Sequence, residues 1–187
     1  MVLSYDELNS YIKLGKLIIK GMTKDSIREN GIDMSISNEV GFHDKNISNK
    51  FLDISDADSI RKDYIVKTME GKIILPPGEH VLLRTVETIK MPNNLVGLIN
   101  LRSTFSRAGI IISPTVIDVG FEGTLTFGAV NLGIRPLYIN PNTRFIHVVF
   151  DEVGKVSKRQ YSGYYQNQKY VTLPQKVKGK SNKEGVI

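Results

Sequence analysis

The sequence predicts a mainly β protein whose sheet is closed or folded over, preceded by one short helix. Short runs of β-favouring residues recur along most of the chain, and turn residues rather than helices separate them. The clearest turns are Pro76-Pro77-Gly78, Met91-Pro92-Asn93-Asn94 and Asn140-Pro141-Asn142. Many short strands without intervening helices are typical of a barrel or of packed sheets.

The N-terminal helix has distinct start and stop signals. Ser4 and Glu7 form a Ser-x-x-Glu capping box, and Gly15 can supply a left-handed C-terminal cap. We therefore predict a helix from about Tyr5 to Leu14. Its apolar face indicates packing rather than binding, and it comprises Leu8, Tyr11, Ile12 and Leu14.

The strands follow in order, each bounded by turn residues. We predict them at residues 17–19, 33–36, 72–75, 80–85, 96–100, 109–112, 124–130, 137–139 and 145–150. The polar stretch from Asn46 to Asp63 is predicted to be a loop that can carry a short helix. We find no internal repeat.

The composition is typical of a single globular domain. A chain of 187 residues with 41% hydrophobic content fits one domain with a sizeable core, which we place at residues 1–174. The chain has no Cys, so disulfides and thiolate metal sites are excluded. We see no long apolar run and no leader-like N-terminus, and we expect a cytoplasmic protein without a membrane segment.

The charge distribution favours a small anionic ligand over a nucleic acid. The net charge is +6, but much of the excess lies in a polar, Lys-rich tail at residues 175–187, which carries Lys176, Lys178, Lys180 and Lys183. The remaining body is only mildly basic, and it contains no aromatic-rich basic motif of the kind that stacks single-stranded bases.

One segment has the composition of a phosphate site. Arg102 and Arg107 flank the hydroxyls of Ser103 and Thr104, between two apolar runs. A guanidinium matches phosphate oxygens bidentately and hydroxyls add donors, although two surface arginines would give the same pattern. Further along, Asp118 lies in a Gly-bounded turn, where it is either an acid or base beside the phosphates or a cap for the turn itself.

Ordered motifs along nearly the whole chain resemble those of the dCTP deaminase and dUTPase superfamily, most closely its archaeal deaminase branch. They are Arg28-Glu29-Asn30-Gly31-Ile32-Asp33, Leu101-Arg102-Ser103-Thr104-Phe105-Ser106-Arg107, Pro114-Thr115-Val116-Ile117-Asp118-Val119-Gly120-Phe121-Glu122-Gly123 and Tyr161-Ser162-Gly163-Tyr164-Tyr165-Gln166-Asn167-Gln168. The resemblance implies a β-clip, a distorted jelly-roll-like barrel. It also implies a homotrimer whose active sites are assembled from neighbouring subunits.

The resemblance also implies roles for individual residues. Arg102, Ser103 and Arg107 would grip the triphosphate of a deoxynucleoside triphosphate, with Thr104 replacing the usual second Ser. Asp118 would contact the sugar and activate water. The pocket for the pyrimidine would be lined by Thr115, Val116 and Ile117, and Phe121 would pack under the sugar unless it is a core aromatic. Mg²⁺ would be carried by the substrate phosphates and not by a protein site.

The C-terminal motif departs from the family pattern at one position. Tyr161, Gln166 and Gln168 match the segment that folds over the nucleotide, but Tyr164 replaces the usual Lys, and Lys169 is the nearby residue that can take over the phosphate contact. The alternative is an exposed Tyr-rich tail without a ligand role. If the segment is a lid, its closure would exclude water.

A second departure decides between reactions. Deaminases of the superfamily carry a Glu ten residues after the Asp, which relays protons at the pyrimidine ring, and the corresponding residue here is Gly128. Loss of a general acid and base typically costs about 10²- to 10⁴-fold in rate. We therefore expect a Mg²⁺-dependent dUTPase that makes dUMP and pyrophosphate. The alternatives are a dCTP deaminase with an unusual relay and a nucleotide-binding regulator without catalysis.

Overall fold

The computed structural model describes residues 1–47 and 51–177. The strands are β1 Ile18–Lys20, β2 Ile27–Arg28, β3 Gly31–His43, β4 Tyr64–Thr68, β5 Ile73–Leu75, β6 His80–Thr85, β7 Thr88–Lys90, β8 Leu95–Leu101, β9 Ile110–Ile112, β10 Val116–Ile117, β11 Glu122–Gly123, β12 Thr126–Asn131, β13 Leu137–Ile139 and β14 Arg144–Glu152. The helices are α1 Tyr5–Lys13, α2 Ala57–Asp63 and α3 Ser103–Arg107, with a 3₁₀ turn at Lys24–Ser26. Strands contain 40% of the residues and helices 14%, so the predicted mainly β class is confirmed.

Helix α1 begins and ends largely where its signals predict. The Ser4 hydroxyl accepts a hydrogen bond from the Glu7 amide, and the Glu7 carboxylate accepts one from the Ser4 amide, which completes the capping box. Gly15 adopts the predicted left-handed conformation, with φ of 66°. Leu8 is fully buried, but the expectation that Leu14 packs is wrong: it caps the helix end and is 68% exposed.

A curled antiparallel sheet forms the body of the protein. Its strand order is β10-β8-β14-β3-β6-β12-β9, with β2 and β4 also paired to β3. Strand β3 is the pivot, because its first half pairs with β14 and its second half with β6. Its register with β6 shifts between Ile36 and Val40, and such a bulge bends a strand and increases its twist. The bend folds the sheet into a half-barrel.

Two smaller sheets contribute residues to the same core as the half-barrel. Strands β1, β7 and β11 form one of them, and β13 pairs with β5 in the other. The core residues with the largest fully buried side chains include Phe145 and Phe150 of β14. The ring of Phe145 lies 4.4 Å from Phe105 of α3 and 6.1 Å from Phe127 of β12, so the core fixes α3 against the strands that follow it.

The structure corrects several predicted bounds. The run predicted at residues 33–36 is part of the much longer β3, and α2 is the short helix expected within the 46–63 stretch. The polar cluster follows the end of β8, as predicted, and Ser103–Arg107 form a short helix there. Most of the predicted Lys-rich tail, from residue 178 onward, lies outside the described residues. In the described part of the chain, no helix has the length and apolar character needed to cross a membrane.

Candidate active site

A cavity of about 500 Å³ lies between the sheet and the C-terminal segment, defined here as residues 161–174. Most of its wall is apolar, as is usual for a small-molecule site of this size. The residues that line it are Leu82, Ile99, Thr115, Val116, Ile117, Asp118, Phe121, Leu125, Thr126, Phe127, Gly128, Tyr161, Tyr165, Gln168, Thr172 and Pro174.

Asp118 is placed in the cavity wall by a short strand and a tight turn. Strand β10 pairs with β8, where Ile117 lies opposite Gly97. A Cβ at position 97 would approach Ile117 Cδ1 to 2.8 Å, so a larger residue there would force the Ile117 side chain to shift. The turn is closed by the main chain, since the Phe121 amide donates to the Asp118 carbonyl over 3.2 Å. The Asp118 carboxylate caps no described amide, and the side chain is exposed.

The C-terminal segment is held over the cavity by main-chain and amide hydrogen bonds. The Tyr161 amide donates to the Val119 carbonyl over 2.9 Å, and the Thr124 amide donates to the Gln168 carbonyl over 2.9 Å. The Gln166 side chain donates to the Gly120 carbonyl and accepts from the Glu122 amide, each over 3.0 Å. Gln166 therefore fixes the segment to the turn that carries Asp118 without lining the cavity itself.

Gln168 adds a polar group to the wall. Its side-chain nitrogen donates to the Thr124 carbonyl over 2.6 Å, and its side-chain oxygen is buried with no hydrogen-bond partner among the described residues. A buried acceptor without a donor costs free energy, so a ligand that donates to it would relieve that cost. Phe121 is 6% exposed and contacts Tyr161 edge to face, with ring centroids 5.8 Å apart, so it is both a core aromatic and a cavity residue.

The predicted phosphate residues lie outside this cavity, on and before α3. Ser103, Thr104 and Arg107 are exposed. Arg102 is half-buried, and its guanidinium donates to the Arg144 carbonyl over 3.0 Å. The structure thus brings the residues predicted for the sugar and base into one cavity and leaves those predicted for the phosphates outside it, on and before α3.

Arg102 is held by a buried carboxylate that the sequence did not single out for a role. Asp33 is 3% exposed, and its Oδ2 lies 3.2 Å from the Arg102 Nε and 3.7 Å from the Arg28 Nε. Its Oδ1 is 3.0 Å from Nδ1 of His147. No described N–H points at Oδ2, so its attraction to the guanidiniums is coulombic rather than a formed hydrogen bond.

Gly128, which stands where the resemblance implies a Glu, has no room for a side chain. Gly128 lies on β12, opposite Leu82 of β6, and both line the cavity. A Cβ built at Gly128 would lie 2.5 Å from Nε2 of His80, so the imidazole occupies the space of any side chain at this position. Lys169 and Tyr164 are exposed and lie outside the lining. Among the residues the structure describes, no cluster of His, Cys, Asp or Glu is arranged to hold a metal ion.

The curled antiparallel sheet with a short N-terminal helix has a dUTPase-like fold. The chain belongs to the dCTP deaminase-like family, whose model matches residues 2–153. It is 37% identical over 180 residues to a dCTP deaminase of Caldivirga maquilingensis, covering 96% of this chain and 98% of that protein. It is 38% identical over 174 residues to a probable deoxyuridine 5'-triphosphate nucleotidohydrolase of Sulfolobus islandicus rod-shaped virus 1, covering 92% and 98%.

The fold is also that of a solved dCTP deaminase from Agrobacterium tumefaciens. The TM-score is 0.63 at 14% identity, over 82% of this chain and 46% of the other. The two sequence relatives are named as nucleotide-processing enzymes. One is named a deaminase and the other a nucleotidohydrolase.

Proposed function

We propose that the protein hydrolyses Mg²⁺-bound dUTP to dUMP and pyrophosphate. The observation that carries the proposal is the contrast between two residues of the cavity wall, Asp118 and Gly128. Both residues line the cavity, but Asp118 brings a carboxylate with no hydrogen-bond partner among the described residues, whereas Gly128 brings no side chain. Phosphate hydrolysis requires a positioned water, a base and charge neutralisation, and none of these involves a side chain at position 128. The viral relative named as a nucleotidohydrolase supports the same choice.

In this mechanism, Asp118 orients and deprotonates a water that attacks the α-phosphorus, and the bond to the β-phosphate oxygen breaks to release pyrophosphate. Thr115, Val116 and Ile117 line the base pocket, and Phe121 and Tyr161 pack beside the nucleoside. Gln168 offers its unpaired side-chain oxygen to a donor on the ligand. Mg²⁺ carried by the triphosphate would neutralise part of the phosphate charge.

The phosphate contacts require a second subunit in this proposal. Arg102, Ser103, Thr104 and Arg107 lie outside the cavity of their own chain, so they would serve the cavity of a neighbour in a homotrimer. Exposed α3 side chains are free to make such contacts. We place Lys169, also exposed, and the segment around Gln166 at the closing edge of the same composite site. Residues 1–174 would form the catalytic domain, acting in the cytoplasm.

The first test is an incubation of the full chain with dUTP or with dCTP in Mg²⁺, with pyrophosphate and ammonia followed together. We expect pyrophosphate from dUTP and a loss of at least about 100-fold in Asp118→Asn, the usual cost of removing a general base. Asp58→Asn is the matched control, because Asp58 is 73% exposed on α2 and makes only a surface ion pair. Tight dUTP binding without turnover would instead identify a regulator.

The composite site has its own test. Arg107→Ala and Asp118→Asn should each be inactive alone. When the two variants are unfolded and refolded together, mixed trimers should contain some sites with both residues intact, and dUTP hydrolysis should return. Asp118→Asn refolded alone is the control. If mixing restores no activity, Arg107 does not serve a neighbour's cavity.

A further inference from the structure

The C-terminal segment is bound near its end by a mostly buried carboxylate on β3. Glu39 Oε2 accepts a hydrogen bond from the Val171 amide over 3.2 Å and another from the Arg84 Nε over 3.0 Å. Glu39 lies within the register shift of β3 between Ile36 and Val40, and a bulge of this kind changes the direction of the side chains it carries. The bulge therefore directs a carboxylate at a residue 132 positions further along the chain.

Arg84 on β6 fixes the position of this carboxylate. Its Nη1 also donates to the Thr85 carbonyl over 3.1 Å, so the guanidinium is attached at two points. The Arg84 and Glu39 side chains are only 17% and 15% exposed. A hydrogen bond to an ionised carboxylate is roughly twice as strong as one between neutral groups. The Val171 amide thus has a strong acceptor that is held in place.

Two further contacts attach the segment at the same point. The Val171 side chain is 7% exposed, and a Cβ added to Gly41 of β3 would lie 3.2 Å from its Cγ1, so Val171 packs directly on that strand. The Thr172 amide donates to the Thr126 Oγ1 over 3.3 Å. Together with the hydrogen bonds of Gln168, these contacts hold the segment to the sheet at two places.

The attachment at Val171 determines one side of the cavity. Thr172 and Pro174 follow it in the chain and line the cavity, whereas Glu39 and Arg84 lie outside the lining. A buried amide without an acceptor costs free energy. Loss of the Glu39 carboxylate therefore favours a segment that has moved away from the sheet, where water can bond the Val171 amide, and the cavity opens.

We propose that Glu39, fixed by Arg84, is a positioning residue that keeps the C-terminal segment closed over the cavity and thereby sets the affinity for the nucleotide. The inference rests on the proposed function, because it takes the cavity to hold the nucleoside part of dUTP. The affinity for a ligand that needs the closed form falls in proportion to the fraction of closed molecules. A variant that is closed in about one tenth of its molecules would bind about tenfold more weakly.

The first measurement is amide hydrogen exchange in the protein without nucleotide. In Glu39→Ala, exchange at Val171 and Thr172 should accelerate by about tenfold or more, while the amides of β14 keep their wild-type rates. Glu39→Gln keeps an oxygen for the Val171 amide but loses the charge that Arg84 binds, so its effect should be smaller. Lys72→Ala is the matched control, because it removes an exposed cation from the polar cavity that Arg84 also lines and leaves the Glu39 pair intact.

The second measurement is the binding of an imido analogue of dUTP that is not hydrolysed between the α- and β-phosphates. Its dissociation constant should rise about tenfold in Glu39→Ala, and the KM for dUTP should rise more than kcat falls. Gly41→Ala pushes against Val171 without changing any charge, and it should weaken binding in the same direction. Lys72→Ala should bind the analogue as the wild type does.

The two measurements separate the possible failures. Unchanged exchange at Val171 in Glu39→Ala would overturn the proposal, and so would faster exchange with unchanged binding of the analogue. If Glu39→Ala does not fold, Glu39→Gln and Gly41→Ala decide by the same two measurements. A wild type that binds the analogue but releases no pyrophosphate from dUTP would refute the proposed hydrolysis alone, and one that binds no analogue would overturn both.

Discussion

Replacing Asp33 with Asn removes the charge that Arg102 and Arg28 share while keeping the shape of the side chain. Asp33 is 3% exposed, with its Oδ2 3.2 Å from the Arg102 Nε. Removing one partner of a fully buried ion pair costs about 3–5 kcal/mol. The Arg102 and Arg28 side chains are 30% and 40% exposed, so water can partly rehydrate them, and we lower the expected cost to about 2 kcal/mol.

The expected loss is measurable as a melting temperature. For a domain of 150–250 residues, 1 kcal/mol corresponds to about 2–4 °C, so Asp33→Asn should melt about 4–8 °C lower. Under the proposed function, Arg102 also loses its alignment. The KM for dUTP should therefore rise, by up to about tenfold for 1.4 kcal/mol of binding, with a smaller effect on kcat.

Asp58→Asn is the matched control, because it removes a carboxylate from an exposed pair with Arg61, worth at most about 1 kcal/mol. Equal melting temperatures for the two variants would refute the reasoning that Asp33 holds a buried charge cluster. A lower melting temperature with unchanged KM would show instead that the Arg144 carbonyl alone positions Arg102.

Three further substitutions test local steps of the argument. Gly128→Ala should lower the free energy of unfolding by about 1–3 kcal/mol, because the new methyl group clashes with His80. In a His80→Ala background the same substitution should cost nothing. An equal cost in both backgrounds of this double-mutant cycle would contradict the contact. Burial raises the pKa of Glu87, so the folded state binds this proton more tightly and the carboxylate's contribution to stability falls as pH rises above about 4.5. Glu87→Gln, which keeps an acceptor for the Ser35 amide, should therefore melt higher than wild type at neutral pH, and the gap should close in acid; a pH-independent gap would argue against a buried charge. Ser4→Ala removes the capping box and should cost about 1 kcal/mol in chemical unfolding, and no change would mean that tertiary packing alone fixes the start of α1.

The sequence predicts best those strands that are bounded by turn residues such as Pro, Gly and Asn. The predicted bounds of β6 and β13 match the structure, since Pro-Pro-Gly precedes the first and Asn-Pro-Asn follows the second. Strand β3 was predicted only in part, because its second half carries polar residues and its length depends on partners on both sides. Helix α3 has no side-chain N-cap and is five residues long, so the sequence carries no start signal for it.

In the candidate site, too, the sequence predicts residues that are close along the chain but not those that strand pairing brings together. Thr115, Val116, Ile117, Asp118 and Phe121 are close in sequence, and a single strand and turn deliver them to the cavity. The residues that cluster around Arg102 and Gly128 come from separate strands and from α2. Their meeting depends on strand register, where a shift of one residue would turn each side chain to the other face. No motif spacing could have revealed them.

Gly128 and His80 depend on each other, because the His80 ring fills the space that a side chain at position 128 would need. Alone, a glycine at the position of a proton-relaying carboxylate signifies lost chemistry. The structure shows that the space is not empty, because an imidazole anchored by His43 and Asp63 fills it, and a carboxylate at position 128 would have to displace that ring. An imidazole at position 80 and a carboxylate at position 128 therefore compete for the same space. Placing Glu at position 128 without removing His80 should consequently destabilise the protein, whereas Gly128→Glu combined with His80→Ala should not, and this contrast tests whether the two side chains compete for one space.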